Sequence, residues 1–187
     1  MRKFFKNINS IHQFTMELEY HQDNLQCKKC QKSDQFISHG YVYKKKNNGG
    51  KRTVGKRIFC SNRFGKTGCG CTHRFYLADE IPRHQFNAAH VFIFLTQLFI
   101  GSSIQKAYTA ATRALDPRNA YRWLKKMGLK LINYRHVLNQ HPQIYSNDYP
   151  ITNKRLRLLL PTLKNILSSL GTTPCAQYQL QYQKSFI

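Results

Sequence analysis

Cys60-Ser61-Asn62-Arg63-Phe64-Gly65-Lys66-Thr67-Gly68-Cys69-Gly70-Cys71 closes a stretch that Cys27-Lys28-Lys29-Cys30 opens, and what lies between them reads as a β-hairpin. Phe36–Lys45 is rich in Tyr, Val and Ile, Asn47-Asn48-Gly49-Gly50 is a turn signal, and residues 51–59 return. A further strand, Thr72–Leu77, follows the second cysteine group. Two thiolates on one tight turn give half of a tetrahedral zinc shell, and a second cysteine group beyond the hairpin gives the other half. The expected ligands are Cys27, Cys30, Cys60 and Cys69, with Cys71 able to replace Cys69 and with His73 or His39 as competitors. The second knuckle is longer than the usual two-residue spacer, and Gly68 and Gly70 supply the permissive backbone it needs. Four protein ligands leave no position for a water nucleophile, so the zinc is expected to be structural. Its binding, roughly 10–16 kcal/mol, can drive the folding of a ribbon too small to fold unaided. Buried-thiol and disulfide readings leave unexplained why the pairs flank a hairpin.

Working outward, the whole chain has 187 residues, 41% of them hydrophobic, which suffices for a buried core. Lys and Arg number 30 against 8 Asp and Glu, a net charge of +22 that few globular proteins carry without an anionic partner. Duplex DNA is the expected partner. The longest apolar run, residues 91–100 with Thr96 and Gln97 inside it, falls well short of the ~20 residues of a spanning helix, so no membrane association is expected. Met1-Arg2-Lys3-Phe4-Phe5-Lys6 has the charge of a signal peptide without its apolar segment, which points to a cytoplasmic, nucleoid-associated protein.

The pattern predicts an α+β chain: a small β zinc ribbon, then a helical helix-turn-helix bundle, then a C-terminal amphipathic helix. Residues 1–22 read as a basic, mobile arm with one strand, and 23–80 as the ribbon. Residues 84–139 read as the bundle, 140–152 as a Pro-containing linker, and 153–187 as a helix with a loosely held tail from Thr172. In the bundle, residues 85–100 form the first helix, stopped by Gly101. Ser102 or Ser103 caps a second, and Asp116-Pro117 starts a third with Asp as N-cap and Pro in the first turn. Leu156, Leu159, Leu160, Leu163, Ile166, Leu167 and Leu170 make a helical stripe that reads as core or as a dimer surface, and Pro161 kinks or restarts that helix.

Two basic surfaces follow. Lys44, Lys45, Lys46, Lys51, Arg52, Lys56 and Arg57 cluster on the hairpin, where a projecting positive finger suits phosphate contact. In the third helix, Ala120, Leu124, Met127 and Leu131 repeat with core spacing, and Trp123 stands beside them. Arg118, Asn119, Arg122, Lys125 and Lys126 then share the opposite face, combining phosphate-binding cations with Arg and Asn groups that can pair with guanine and adenine in the major groove.

The segments Ser103-Ile104-Gln105-Lys106-Ala107 and Asn119-Ala120-Tyr121-Arg122-Trp123-Leu124-Lys125-Lys126 resemble the homeodomain-like helix-turn-helix of transposase DNA-binding regions. Gly68-Cys69-Gly70-Cys71-Thr72-His73-Arg74-Phe75 is similar to the second knuckle of the insertion-element zinc ribbon that often precedes it. The second knuckle is expanded, and the interval from Ala107 to Trp123 is longer than in the compact motif. The resemblance implies recognition of element ends, as an accessory or truncated transposase, or regulation by a descendant of one, with a homodimer or a transposase as protein partner. The catalytic half is missing. Strand transfer needs clustered carboxylates, whereas Asp79, Asp116 and Asp148 fall on a domain edge, a helix cap and a linker. No catalytic residue and no small-molecule substrate are expected. Two other readings remain: an RNA binder stacking bases on Phe36, Tyr41 and Tyr43, and a protein-interaction adaptor using the C-terminal helix.

Overall fold

The computed structural model describes residues 2–18, 25–45, 49–139 and 156–187. They fall into two compact units, Met1–Gln85 with Gln179–Lys184 and Phe86–Tyr178 with Ser185–Ile187. The architecture is mixed α and β.

The first unit is a four-stranded sheet in the order β1-β4-β3-β2, built from β1 (Arg2–Phe5), β2 (Phe36–Lys45), β3 (Lys51–Cys60) and β4 (Thr72–Leu77), with helix α1 (Ile8–Met16) packed on one face. The β2–β3 hairpin is antiparallel, and register shifts between Ser38 and Tyr41 and between Val42 and Tyr43 mark bulges in it. Ile58 and Phe75 point toward α1, where Ile11 and the half-buried Phe14 meet them in one cluster with Leu25, Phe36, Cys27 and Cys60.

The chain start is therefore no mobile arm. Phe4 and Phe5 pair in parallel with Tyr76 and Leu77, and Ile11 is fully buried. Asn7 caps α1 by accepting the Ser10 N–H at 2.8 Å. β1 is an edge strand, and the Gln183 side chain closes its free side: its Oε1 accepts the Phe4 N–H at 2.8 Å while its Nε2 donates to the Phe4 carbonyl at 3.0 Å.

The second unit contains α2 (Ala88–Phe99), α3 (Ile104–Thr112), α4 (Arg118–Leu129), α5 (Leu131–Asn139), α6 (Leu159–Ser169) and the first part of α7 (Pro174–Tyr182). Asn87 caps α2 and Ser103 caps α3 through Lys106 N–H. Pro117 precedes the first residue of α4, and the Asp116 carboxylate accepts the Arg118 N–H at 3.0 Å. The centre of this unit is Trp123, ringed edge-on by Phe86, Phe94 and Tyr108 at 5.5–5.8 Å for Tyr108, Phe94 and Phe86.

Two expectations about the C-terminal part change. The leucine stripe of α6 is buried inside this unit, with Leu163 and Ile166 fully covered, so it offers no dimer or adaptor surface. Pro161 sits in the first turn of α6, where its missing N–H goes unused. Beyond Thr172 the chain is firmly packed: Tyr134, Tyr178 and Phe186 stack at 5.3–5.6 Å, and the Tyr134 hydroxyl donates to the Phe186 carbonyl. The linker expected at 140–152 lies outside the described residues, as does Lys46.

Candidate metal centre and basic surfaces

Cys27 and Cys30 share a turn in which the Gln31 N–H donates to the Cys27 carbonyl at 2.7 Å and the Cys27 N–H to the Lys32 carbonyl at 3.0 Å. The expanded second knuckle is folded back on itself by its own backbone. Gly68 N–H donates to Ser61 O at 2.7 Å, Gly70 N–H to Cys60 O at 2.9 Å, and Cys60 N–H to Cys71 O at 2.9 Å. The extra residues form a loop tied to the first knuckle by Lys32 on Thr67 O at 2.9 Å and by Thr67 N–H on Gln35 Oε1 at 2.6 Å. This is how a long spacer still returns Cys69 beside Cys60. A Cβ at Gly68 would stand 2.4 Å from Ser61 O and 2.7 Å from Cys60 Sγ, and Gly70 has φ +74, so both glycines are required.

The four sulfurs of Cys27, Cys30, Cys60 and Cys69 all lie within 4.8 Å of one another, with Cys27–Cys69 and Cys30–Cys60 both at 3.6 Å. A tetrahedral ion with metal–sulfur bonds of about 2.3 Å separates its sulfurs by about 3.8 Å, so the set fits. Among the described residues, this cluster can hold a metal ion, and it contains Cys69 rather than Cys71. His39 packs its ring on Phe59 at 5.4 Å, outside the cluster. His73 is buried with Nε2 3.3 Å from Cys27 Sγ, close enough to hydrogen-bond the sulfur and orient it.

The thiols are electrostatically unequal. Burial pushes the Cys27 thiol up, but the Cys30 and Lys29 N–H groups, with His73 and Cys69, reverse this and hold it at about 5. Burial pushes Cys60 up to about 12; the Cys69 N–H opposes it, while the adjoining thiols of Cys30, Cys27 and Cys69 add to it. Only a cation among them makes four adjacent thiolates tolerable.

The hairpin cations divide into two groups. Lys44 and Arg52, opposite each other across β2–β3, both engage Glu80, a carboxylate only 2% exposed, with Lys44 Nζ at 2.7 Å. Burial lowers the Lys44 pKa, and Glu80 works against that shift. These two residues anchor the chain after β4 and are not free to meet phosphate. Lys56 is half-buried, donating to Thr15 Oγ1 at 2.7 Å on the α1 side. Lys45 and Lys51 are exposed, and Arg57 is half-buried.

On α4, Ala120, Trp123, Leu124 and Met127 are buried while Arg118, Asn119, Arg122, Lys125 and Lys126 are all exposed. Leu131, expected to continue the core row, begins α5 after Lys130 and is only half-buried. Arg118 ion-pairs with Asp116 at 2.6 Å, which aligns it along the first turn. Comparison with family models, with curated proteins and with solved structures finds no match to this chain. The aromatics proposed for base stacking are mostly engaged: Phe36 is buried edge-on to His73 and Tyr41 lies against His12, leaving Tyr43 exposed. Sequence reasoning missed Glu80 as the partner of Lys44 and Arg52, and it missed Arg2 and Arg74, which share a sheet face with Arg57.

Proposed function

We propose that the chain is a sequence-preferring duplex-DNA-binding protein of a mobile element, an accessory or truncated transposase, or a regulator derived from one. In this reading α3 and α4 act as a helix-turn-helix with α4 as the recognition helix, and the cysteine cluster holds a structural zinc. The observation that carries it is the sidedness of α4. One face is buried around Trp123, and the other presents Arg118, Asn119, Arg122, Lys125 and Lys126 to solvent. Cations position such a helix on phosphates, whereas Arg and Asn can read base edges. The charge of +22 supplies the long-range attraction.

The role of the cysteine residues is to fix the two knuckles at one end of the sheet. Zinc, when bound, supplies four bonds that cross-link segments far apart in sequence; Cys27 and Cys30 come from before β2, Cys60 from the end of β3, and Cys69 from the loop before β4. No acid–base or nucleophilic step is assigned to them. Asp116 orders the start of α4 and Glu80 neutralises Lys44 and Arg52, so both carboxylates have structural tasks.

The test is selection from sheared genomic duplex DNA at near-physiological salt, with sequencing of what is retained, for the zinc-loaded protein and for Arg122→Ala. A repeated motif retained by the parent and lost in the variant is expected. Retention of both without any motif would sink the recognition-helix assignment.

A further inference from the structure

Arg2 pairs with Arg74 across β1–β4, and Arg74 with Arg57 across β4–β3, so three arginines stand side by side on three adjacent strands. Because side chains alternate along a strand, they share the face opposite to Phe75 and Ile58, which point to α1. Arg2 and Arg74 are exposed and Arg57 is half-buried, with its Nη2 3.7 Å from where a Cβ would stand at Gly40. Among the described residues none of the three has an ion-pair partner; the ion pairs there belong to Glu80 and Asp116. The Arg57 Nε has no acceptor. Like charges facing one another across a ladder are destabilising, and nothing anionic among the described residues offsets this row. At a strand spacing of about 4.8 Å the row spans roughly 10 Å. Over that length duplex DNA presents about six phosphate charges, and guanidinium forks suit phosphate oxygens bidentately.

We infer that the Arg2–Arg74–Arg57 row on the open face of the sheet is a second, sequence-independent contact for the phosphodiester backbone of duplex DNA. This rests on the duplex-binding reading and adds to it a surface on the unit that lacks α4. It also changes what the first unit does: the tip of the hairpin gives up Lys44 and Arg52 to Glu80, and the anion-binding function moves to the flat of the sheet.

The experiment is a titration of full-length, zinc-loaded protein with a random-sequence duplex between 50 and 200 mM salt. It compares the parent with R2Q/R57Q/R74Q, R2K/R57K/R74K and R122A. Each lost phosphate contact lowers the slope of log affinity on log salt by about 0.9, so the glutamine variant should lose about 2.7 and the lysine variant should keep most of its slope. R122A should retain the three-arginine contribution. Zinc content and Trp123 fluorescence report folding; if Arg57→Gln unfolds the sheet, the exposed pair R2Q/R74Q should still lose about 1.8. An unchanged slope in the folded glutamine variants overturns the inference and leaves α4 as the DNA contact. Failure of the parent itself to bind duplex removes the function reading together with the inference. Single-stranded RNA outcompeting duplex for the row also overturns it.

Discussion

The two units hold themselves together by different means. The helical unit has an aromatic interior in which Trp123, Tyr108 and Phe94 are buried and meet edge to face, and its helices are capped by Asn87 and Ser103. The sheet unit has one helix on one face, and the end of its core is made of sulfur: Cys27 and Cys60 are buried beside Ile58 and Phe36. A helical core of this kind stabilises itself through apolar burial, whereas a sheet whose knuckles are cross-linked by a metal is only as stable as the metal's hold. The same chain thus presents its α4 face from a self-supporting unit and its arginine row from a conditional one.

The largest test of this difference is metal removal. Stripping zinc with a chelator withdraws on the order of 10–16 kcal/mol of binding free energy from the sheet unit. Hydrogen-exchange protection of β2 and β3 should collapse, while the fluorescence of Trp123, the chain's one tryptophan, stays native. Simultaneous loss of both signals would show that the units do not fold independently. The converse experiment is Trp123→Ala, which should cost about 3–5 kcal/mol in the helical unit. Zinc content and β3 protection should be unchanged, and a fall in zinc content would break the comparison from the other side.

How far these differences could be read from the sequence follows from how local each signal is. Cys27-Lys28-Lys29-Cys30, the turn at Asn47-Asn48-Gly49-Gly50, and the caps Ser103 and Asp116 act within a few residues, and they place the hairpin, the four sulfurs and the helix starts. The start of the chain was obscure because β1 is a short strand whose partner, β4, lies about seventy residues on, and no period in residues 1–22 announces it. The tail was obscure for the same reason: Phe186 is buried only because Tyr134 and Tyr178 receive it. The basic finger was over-read since charge alone does not say what faces a lysine. Glu80 lies 36 residues from Lys44 and 28 from Arg52. The arginine row was invisible for the same reason, being a property of strand order rather than of any one segment.

A smaller effect separates the two units by what they do to DNA. Arg122→Ala should cost about 1–3 kcal/mol on the preferred site and little on other duplexes, because a lost bidentate base contact relaxes discrimination. Binding isotherms on the preferred site and a scrambled duplex check this, and equal losses on both would make α4 a phosphate contact only.

The finest distinction lies within the hairpin, between neighbours that sequence treats alike. Lys44 is half-buried and donates to both Glu80 and the Ile81 carbonyl at 2.9 Å, whereas Lys45 points to solvent opposite Lys51. Lys44→Ala removes hydrogen bonds to a buried carboxylate that keeps only Arg52, so it should lower the stability of the sheet unit by about 1–3 kcal/mol. Its salt slope for duplex binding should match the parent's. Lys45→Ala should do the reverse, leaving denaturant midpoints within about 0.5 kcal/mol of the parent while lowering the slope by about 0.9. If both variants change the slope and neither changes the midpoint, the Glu80 pairing does not hold Lys44 in solution, and the hairpin is a phosphate-binding finger after all. If the two separate as stated, adjacent lysines have been divided by one buried carboxylate into a structural and a DNA-binding cation.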